Sequence, residues 1–212
     1  MAVFCDCLSM IDPEEKNIST RKQKAGVTRN RIYTTAFDLI RQYGFDNVTV
    51  DEICRQSGVR KGAFYHHFKS KDDIVIEAYN IIDEDFLKEA VHLPDGTGCF
   101  ERILFTVRFQ AHRAASEGVV LVRQIYKSQI DTGTSFFMSP ERPFYRTICD
   151  AIAQGQSAGE FRNEMTPDEQ TRLVLSISRG IIYDWCMEDG GFDIETFMDR
   201  SFEIFLNGLK NK

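Results

Sequence analysis

One short stretch of the chain gathers several side chains that could do chemistry. Tyr65, His66 and His67 are consecutive, with Lys61 before them and Lys71 after them. Adjacent histidines on a helix point about 100° apart, so they cannot easily bind one metal ion together. Phenol, imidazole and ammonium groups suit hydrogen bonds and ion pairs with an anionic surface. The stretch therefore predicts a nucleic-acid contact rather than a metal site.

Sequence patterns for metal or phosphate chemistry are missing. The sequence holds no glycine-rich phosphate loop and no His-Glu-x-x-His. Six cysteines stand at positions 5, 7, 54, 99, 149 and 186, without the spacing of a zinc module. Cys5 and Cys7 alone would supply only half a metal site. We expect no cofactor and no metal, and keep an enzyme with an appended DNA-binding segment as an alternative.

Two helices joined by a glycine turn are predicted around the Tyr-His-His stretch. Thr49 and Glu52 form a Thr-x-x-Glu capping box, which marks a helix start. Gly58 suits the left-handed position that ends a helix. A second helix then runs from about Arg60 to Phe68. This is a helix-turn-helix over residues 50–69, whose second helix enters the major groove of DNA.

The same stretch resembles the DNA-binding domain of the tetracycline-repressor (TetR) family over residues 28–80. The residues that carry the resemblance are V-T-V-x-x-I-x-x-x-x-G-V-x-K-G-x-F-Y-x-H-F-x-S-K from Val48, preceded by Tyr43-Gly44-Phe45. The resemblance implies phosphate contacts by Thr49, Tyr65 and Lys71. It implies base or phosphate contacts by Arg60, Lys61, Ala63, His66 and His67. Arg60 stands where the family often has serine, so a helix cap is lost and a charge is gained.

Charge is divided unevenly along the 212 residues, although the net charge is −6. Residues 19–71 hold 11 Lys or Arg against 4 Asp or Glu, and the remainder holds 15 against 28. A basic N-terminal domain followed by an acidic remainder is expected when only one domain touches DNA.

Helical periodicity without strand alternation predicts an all-α fold in three parts. Residues 1–26 lack periodicity and are expected to form a mobile arm, either a solvated tail or one that touches DNA. Residues 27–71 form a three-helix helix-turn-helix domain. Residues 72–212 form a helical effector-binding and dimerisation domain, with helices at about 72–91, 99–116, 118–129, 144–158, 166–187 and 193–209.

The middle of this second domain is predicted to hold a ligand cavity, which the family resemblance implies. Apolar walls with a few polar groups are typical of ligand sites, although aromatic residues at helical spacing also form plain cores. If Arg108 and Arg123 point inward unpaired, the ligand is an anion. The candidate residues are Phe105, Arg108, Phe109, His112, Arg123, Tyr126, Phe144, Tyr145 and Trp185.

The last two helices are predicted to pair with those of a second copy. Each carries a broad apolar stripe, and such helix pairs form four-helix bundles, as the family resemblance also implies. The stripes could instead face only their own core. The predicted interface residues are Leu173, Ile177, Gly180, Ile181, Phe197, Phe202 and Phe205.

Together these features predict a ligand-responsive regulator of transcription. The chain is expected to be a homodimeric repressor that binds double-stranded operator DNA and is released by a small-molecule effector. The alternative is a DNA-binding regulator without such a sensor, whose back half docks a protein partner. No apolar run approaches the roughly 18 residues of a membrane span, so we expect a cytoplasmic protein.

Overall fold

The computed structural model describes residues 13–132 and 136–211, and this part of the chain is helical. Apart from an isolated bridge between Phe161 and Lys210, the described residues form no strand pairing. Short 3-10 helices lie at Phe45–Asn47 and Phe136–Met138. The α-helices are α1 (Pro13–Tyr43), α2 (Val50–Ser57), α3 (Lys61–His67), α4 (Asp72–Ala90), α5 (Cys99–Glu117), α6 (Val119–Thr132), α7 (Pro143–Ser157), α8 (Pro167–Met187) and α9 (Ile194–Leu209).

The chain divides into two compact units. The first ends at Ile74 and the second begins at Val75. The division falls inside α4, so this helix starts in the first unit and continues in the second. The all-α fold predicted from the sequence is confirmed.

Helix α1 begins earlier than the sequence predicted. It starts at Pro13, inside the segment expected to be an irregular arm. Proline is favoured in the first helical turn. Such a polar stretch shows no apolar periodicity, which is why the pattern missed it. Residues 1–12, with Cys5 and Cys7, lie outside the described residues.

In the first unit, α1 packs against α2 and α3. Ile32 and Ala36 of α1, Ile53 of α2, and Phe64 and Phe68 at α3 are buried. Burying a large apolar side chain stabilises a fold by roughly 1.5–3 kcal/mol. The small helices α2 and α3 are therefore held by these side chains rather than by their own length.

The second unit has a larger core centred on α5. This helix packs against α7 and α9, and α7 packs against α8. The start of α8 is fixed by a reciprocal capping box. Glu169 N–H donates to the Thr166 hydroxyl at 3.3 Å, and Thr166 N–H donates to the Glu169 carboxylate at 2.8 Å. Asp193 likewise caps α9 by accepting from Thr196 N–H at 3.2 Å. Both helix starts agree with the sequence patterns.

None of the described helices is long and apolar enough to cross a membrane.

Candidate nucleic-acid interface and effector cavity

Helix α2 is set by a cap at one end and a glycine at the other. The Thr49 hydroxyl accepts from Glu52 N–H at 3.1 Å. Glu52 does not return this bond in the described part of the chain, because its carboxylate accepts from Arg55 at 2.5 Å and from Gln56 at 3.3 Å. The predicted capping box is thus half formed. Gly58 ends the helix in the left-handed region at φ 66°.

Helix α3 is anchored by its two phenylalanines. The rings of Phe64 and Phe68 are buried, with centroids 5.8 Å apart. Their position turns Tyr65 outward, and 53% of it is exposed. Arg60 precedes the helix and makes no side-chain cap bond, as predicted for an arginine at this place. Helix α3 carries no carboxylate. Its outward polar side chains are therefore either cationic or neutral, and they can donate hydrogen bonds to an anion.

All eight residues predicted to contact DNA lie in the first unit. Their contact with DNA stays a prediction. The five exposed residues are Thr49, Arg60, Lys61, Tyr65 and His66. The three half-buried residues are Ala63, His67 and Lys71.

Lys61 forms an exposed ion pair. Its ammonium lies 2.6 Å from the Asp51 carboxylate, and both side chains are more than half exposed. The hydrogen bond that Lys61 donates to Asp51, followed by the charge of Asp51, raises the pKa of Lys61, which stays protonated. Exposed ion pairs contribute little stability, so Lys61 can exchange Asp51 for a phosphate at small cost.

Lys71 is turned toward its own chain. Its ammonium donates to the backbone carbonyl of Phe45 and, at 2.9 Å, to that of Val48. It also lies 4.0 Å from the centroid of the Phe45 ring. These carbonyls belong to the connection between α1 and α2. Lys71 therefore holds that connection, a role that the sequence did not reveal.

Burial shifts the pKa of His67 on α3. Partial burial lowers the pKa of His67, and the nearby charges of His66 and Arg29 lower it further. The imidazole rings of His66 and His67 lie 5.0 Å apart at 72°, so they do not share a face. Among the described residues no cluster of three potential ligands could hold a metal ion.

The second unit contains a cavity of about 90 Å³. Helices α4, α5, α6, α7 and α8 all contribute to its wall. Ten apolar or aromatic side chains line it, Tyr79, Ile82, Ala114, Val122, Ile125, Tyr126, Phe137, Phe144, Leu175 and Ile182. Five polar side chains complete it, Gln110, Arg113, Glu117, Arg142 and Arg179.

Two of the nine residues predicted for the pocket, Tyr126 and Phe144, line this cavity. Four others line a separate surface cleft of about 390 Å³ between α5 and α9, namely Phe105, Arg108, Phe109 and His112. Arg123, Tyr145 and Trp185 line neither. The structure thus does not bring the nine predicted residues together in one cavity, because helical spacing alone does not tell which side of a helix faces a cavity.

Arg108 and Arg123 do not meet the condition for an anionic ligand, because both are paired with carboxylates at the surface. Arg108 donates to Asp199 at 2.5 Å. Arg123 donates to Asp189 at 2.8 Å and to the Cys186 carbonyl at 2.5 Å. Neither arginine is therefore available to an effector without losing a partner.

Tyr145 and Trp185 belong to the core. The Tyr145 hydroxyl donates to Asp168 at 2.8 Å. Burial raises the pKa of Tyr145 to about 12, and the bond to Asp168 adds to the rise, so the phenol stays protonated. The Trp185 indole N–H donates to the Phe192 carbonyl at 3.1 Å. The Tyr145 hydroxyl and the Trp185 N–H thus both have hydrogen-bond acceptors within the protein.

Arg179 is a cavity residue that the sequence reasoning missed. It lies on α8 between Leu175 and Ile182, at the spacing of one helix face. All three residues line the cavity. A cation placed inside an apolar stripe is the signal that could have found it.

The predicted dimer residues divide between core and surface. Phe202 and Ile181 are buried among the side chains of their own unit, so they offer almost no surface to a second copy. Leu173, Ile177 and Phe205 are half-buried, and Gly180 and Phe197 are exposed. The exposed apolar residues of these helices that the prediction lacked are Tyr183, Met187 and Ile204.

Residues 155–159 spell Gly-x-Ser-x-Gly, a pattern of hydrolase nucleophiles. That chemistry needs the serine on a strand-to-helix turn, beside a histidine. Ser157 is instead the last residue of α7 and makes no hydrogen bond with a histidine. The pattern is a helix end here.

A capped helix, a left-handed glycine and a short exposed helix without carboxylates define a helix-turn-helix DNA-binding protein. Family comparison agrees. The model described as "Bacterial regulatory proteins, tetR family" matches residues 32–78, and the one described as "YsiA-like protein, C-terminal region" matches residues 114–208. The chain belongs to the tetR family of bacterial regulatory proteins. It is a DNA-binding transcriptional regulator, and the alternative of an enzyme does not hold.

Similar proteins extend over most of the chain. The regulator UidR of Escherichia coli K12 is 24% identical over 82% of this chain and 87% of its own length. The fatty acid metabolism regulator protein of Bacillus subtilis is 20% identical over 86% and 95%. The crystal structure of FadR from Bacillus subtilis in complex with stearoyl-CoA has a TM-score of 0.62, with 16% identity over 84% of this chain and 97% of that one. At this identity the structural likeness shows the fold alone.

Proposed function

We propose that the chain is a homodimeric repressor that leaves its operator when a small-molecule effector enters the cavity of the second unit. One observation carries the proposal. Helix α4 starts at Asp72 in the first unit and supplies Tyr79 and Ile82 to the cavity wall in the second. A molecule in the cavity contacts the helix that continues directly from the DNA-binding unit. The similar structure that contains stearoyl-CoA supports a regulator of this kind.

Operator contact is assigned to the outward side of α3. Tyr65 and His66 are exposed and can hydrogen-bond to phosphates or base edges. Arg60 and Lys61 add positive charge at the start of the helix. The ion pair of Lys61 with Asp51 is exposed, so Lys61 can exchange Asp51 for a phosphate. This arrangement suits a helix that enters the major groove of operator DNA.

Effector response requires two states with different ligand affinity. The effector releases DNA only if it binds the DNA-incompetent state more tightly, and each tenfold difference is worth about 1.4 kcal/mol. The cavity wall includes both α4 and the residues of α8, so occupancy can act on α4 without any contact to α3.

Dimerisation is assigned to the outward faces of α8 and α9. Gly180, Tyr183 and Met187 follow one face of α8, and Phe197 and Ile204 follow one face of α9. Exposed apolar rows of this kind mark interaction surfaces. A second copy would bring two α3 helices to half-sites about 34 Å apart, one turn of DNA.

The same apolar row is what a protein partner would use in the alternative function. That alternative predicted a second unit packed without a cavity, and the cavity of about 90 Å³ counts against it. Because a bacterial regulator meets its operator where the chromosome lies, we propose the cytoplasm as its place of action.

The test measures release of operator DNA. Fluorescence anisotropy would follow labelled DNA from the region flanking the gene, with and without an organic extract of the producing cells. The extract should release the wild-type protein. Ala114→Leu, which fills the cavity wall, should bind DNA normally and resist release. The control Ala158→Leu changes an exposed residue directly after α7 and should behave as wild type. Equal release of all three proteins would contradict the proposal.

A further inference from the structure

We infer that the effector is a small carboxylate, a monoanion with one ring or a short chain as its apolar body, and that its charge pairs with Arg179. This inference rests on the proposed function, since it names the ligand of the same cavity.

The first argument is the balance of charge around the cavity. Two of its three arginines are neutralised by the protein. Arg142 pairs with Asp83 at 2.6 Å. Arg113 pairs with Glu117 at 2.9 Å and lies 3.8 Å from Asp85. These pairs leave no charge for a ligand to satisfy.

Arg179 is different. No carboxylate pairs with it within residues 13–132 and 136–211. Its guanidinium lies 4.8 Å from the centroid of the Phe137 ring and hydrogen-bonds to the Tyr126 side chain. Its Nε atom is buried and has no hydrogen-bond partner among the described atoms. A buried donor on a cation is costly unless an acceptor reaches it. A single negative charge on the ligand supplies both the acceptor and the missing counter-charge.

Further buried polar atoms of the cavity wall have no hydrogen-bond partner among the described atoms. They include Nε of Arg113, which needs an acceptor, and Oε1 of Gln110, which needs a donor. A carboxylate oxygen suits the first, and a hydroxyl or N–H elsewhere on the ligand suits the second. Apart from Glu117 and Arg142, whose charges are paired within the protein, the rest of the wall is apolar, so the rest of the ligand is apolar too.

The surface groove beside the cavity also favours an anionic ligand. Arg179, Tyr126 and Phe137 line both the cavity and a surface groove of about 280 Å³. The described residues that line this groove include no carboxylate. Gly180 and Tyr183 form its outer side and also belong to the apolar face assigned to dimerisation, so a second copy would border the entrance.

The size of the cavity limits the apolar body. A cavity of about 150 Å³ accepts benzene. The cavity here measures about 90 Å³, so a ring or short chain fits only by extending toward the groove. Coenzyme A thioesters carry several negative charges and a large nucleotide head, whereas Arg179 is the one cavity arginine without a carboxylate partner among the described residues.

The experiment compares matched probes on the full-length protein by calorimetry and thermal shift. The carboxylates are benzoate, 4-hydroxybenzoate and hexanoate, each at millimolar concentration. Their neutral analogues are benzyl alcohol and hexanol, and stearoyl-CoA is the large anion. The variants are Arg179→Met, Arg179→Lys and the control Arg172→Met, which changes an exposed arginine of the same helix.

At least one carboxylate should bind the wild type better than its neutral analogue. Arg179→Met should weaken that binding about tenfold or more, since a hydrogen-bonded charge is lost. Arg179→Lys should keep part of the preference, and Arg172→Met should keep all of it. Equal binding of acid and alcohol, unchanged in Arg179→Met, would overturn the anion inference and leave a ligand-responsive regulator standing. If stearoyl-CoA alone bound tightly, the inferred small size of the ligand would be wrong. Failure of every probe, together with an extract that releases no DNA, would remove the proposed function as well.

Discussion

Asp83 and Arg142 form a buried two-point ion pair. Arg142 Nε donates to one carboxylate oxygen of Asp83 at 3.0 Å and Nη2 to the other at 2.6 Å. The guanidinium also lies 5.2 Å from the ring centroids of both Tyr79 and Phe144. Asp83 belongs to α4 and Arg142 to the cavity wall just before α7. The ion pair therefore links α4 to the part of the cavity wall that precedes α7.

Removing one charge of this pair should destabilise the second unit strongly. Asp83→Asn leaves Arg142 buried without its counter-charge, which costs about 3–5 kcal/mol. Urea unfolding followed by circular dichroism measures the change. Glu164→Gln, which breaks the exposed pair with Arg162, is the control and should change the unfolding free energy far less. Equal effects would show that burial of the Asp83–Arg142 pair does not matter.

Gly155 leaves no room for a larger residue. A Cβ atom added there would lie 2.3 Å from Cδ2 and 2.7 Å from Cε2 of the buried Phe161 ring. Gly155→Ala should lower the unfolding free energy by roughly 1–3 kcal/mol through overpacking. Gly208→Ala is the matched control on α9, where an added Cβ meets nothing within 4 Å, and helix propensity should make it neutral or stabilising. A stabilised Gly155→Ala protein would refute the contact.

Lys71 allows a test between a structural role and a phosphate contact. Lys71→Met removes the bonds to the Phe45 and Val48 carbonyls, so it should lower the melting temperature and weaken DNA binding. The slope of binding against salt should stay unchanged. Lys69→Met, at an exposed neighbouring position, should leave the melting temperature unaltered. A salt slope that falls by about one, without loss of stability, would assign Lys71 to a phosphate instead.

His67 should make stability depend on pH. Its pKa in the folded protein is lowered below the ordinary value of 6.5, chiefly by burial, so the unfolded chain binds the proton more readily. The contribution is complete above the unfolded pKa and is lost as the pH falls through the folded pKa. Urea titrations between about pH 7.5 and about pH 5.5 should show stability falling, more in the wild type than in His67→Asn. Identical pH profiles would contradict the lowered pKa.

The sequence predicted helix ends better than helix faces. The Thr166–Glu169 box and the Gly58 turn depend on neighbouring residues only, so local patterns reveal them. Phe202 was placed at the surface although it is buried, because a broad apolar stripe does not show which part meets the core. The same difficulty placed Trp185 at a ligand site.

The cavity was harder to find because it depends on which partners long side chains choose. Arg108 and Arg123 look like candidates for an anion until Asp199 and Asp189, distant in sequence, pair with them. Arg179 becomes a candidate only once the structure leaves it without a carboxylate partner in the described part of the chain. Pairing across distant residues is set by packing, which one sequence does not reveal.

The central claim is that α3 binds a specific DNA sequence. The direct measurement is a fluorescence anisotropy titration on DNA flanking the gene, at two salt concentrations, against a scrambled duplex. Tyr65→Ala is compared with Tyr43→Ala, because both tyrosines are about half exposed but Tyr43 lies at the end of α1. The account predicts specific binding that Tyr65→Ala weakens and Tyr43→Ala leaves intact. Binding that ignores sequence, depends only on salt and is equal in both variants would contradict it.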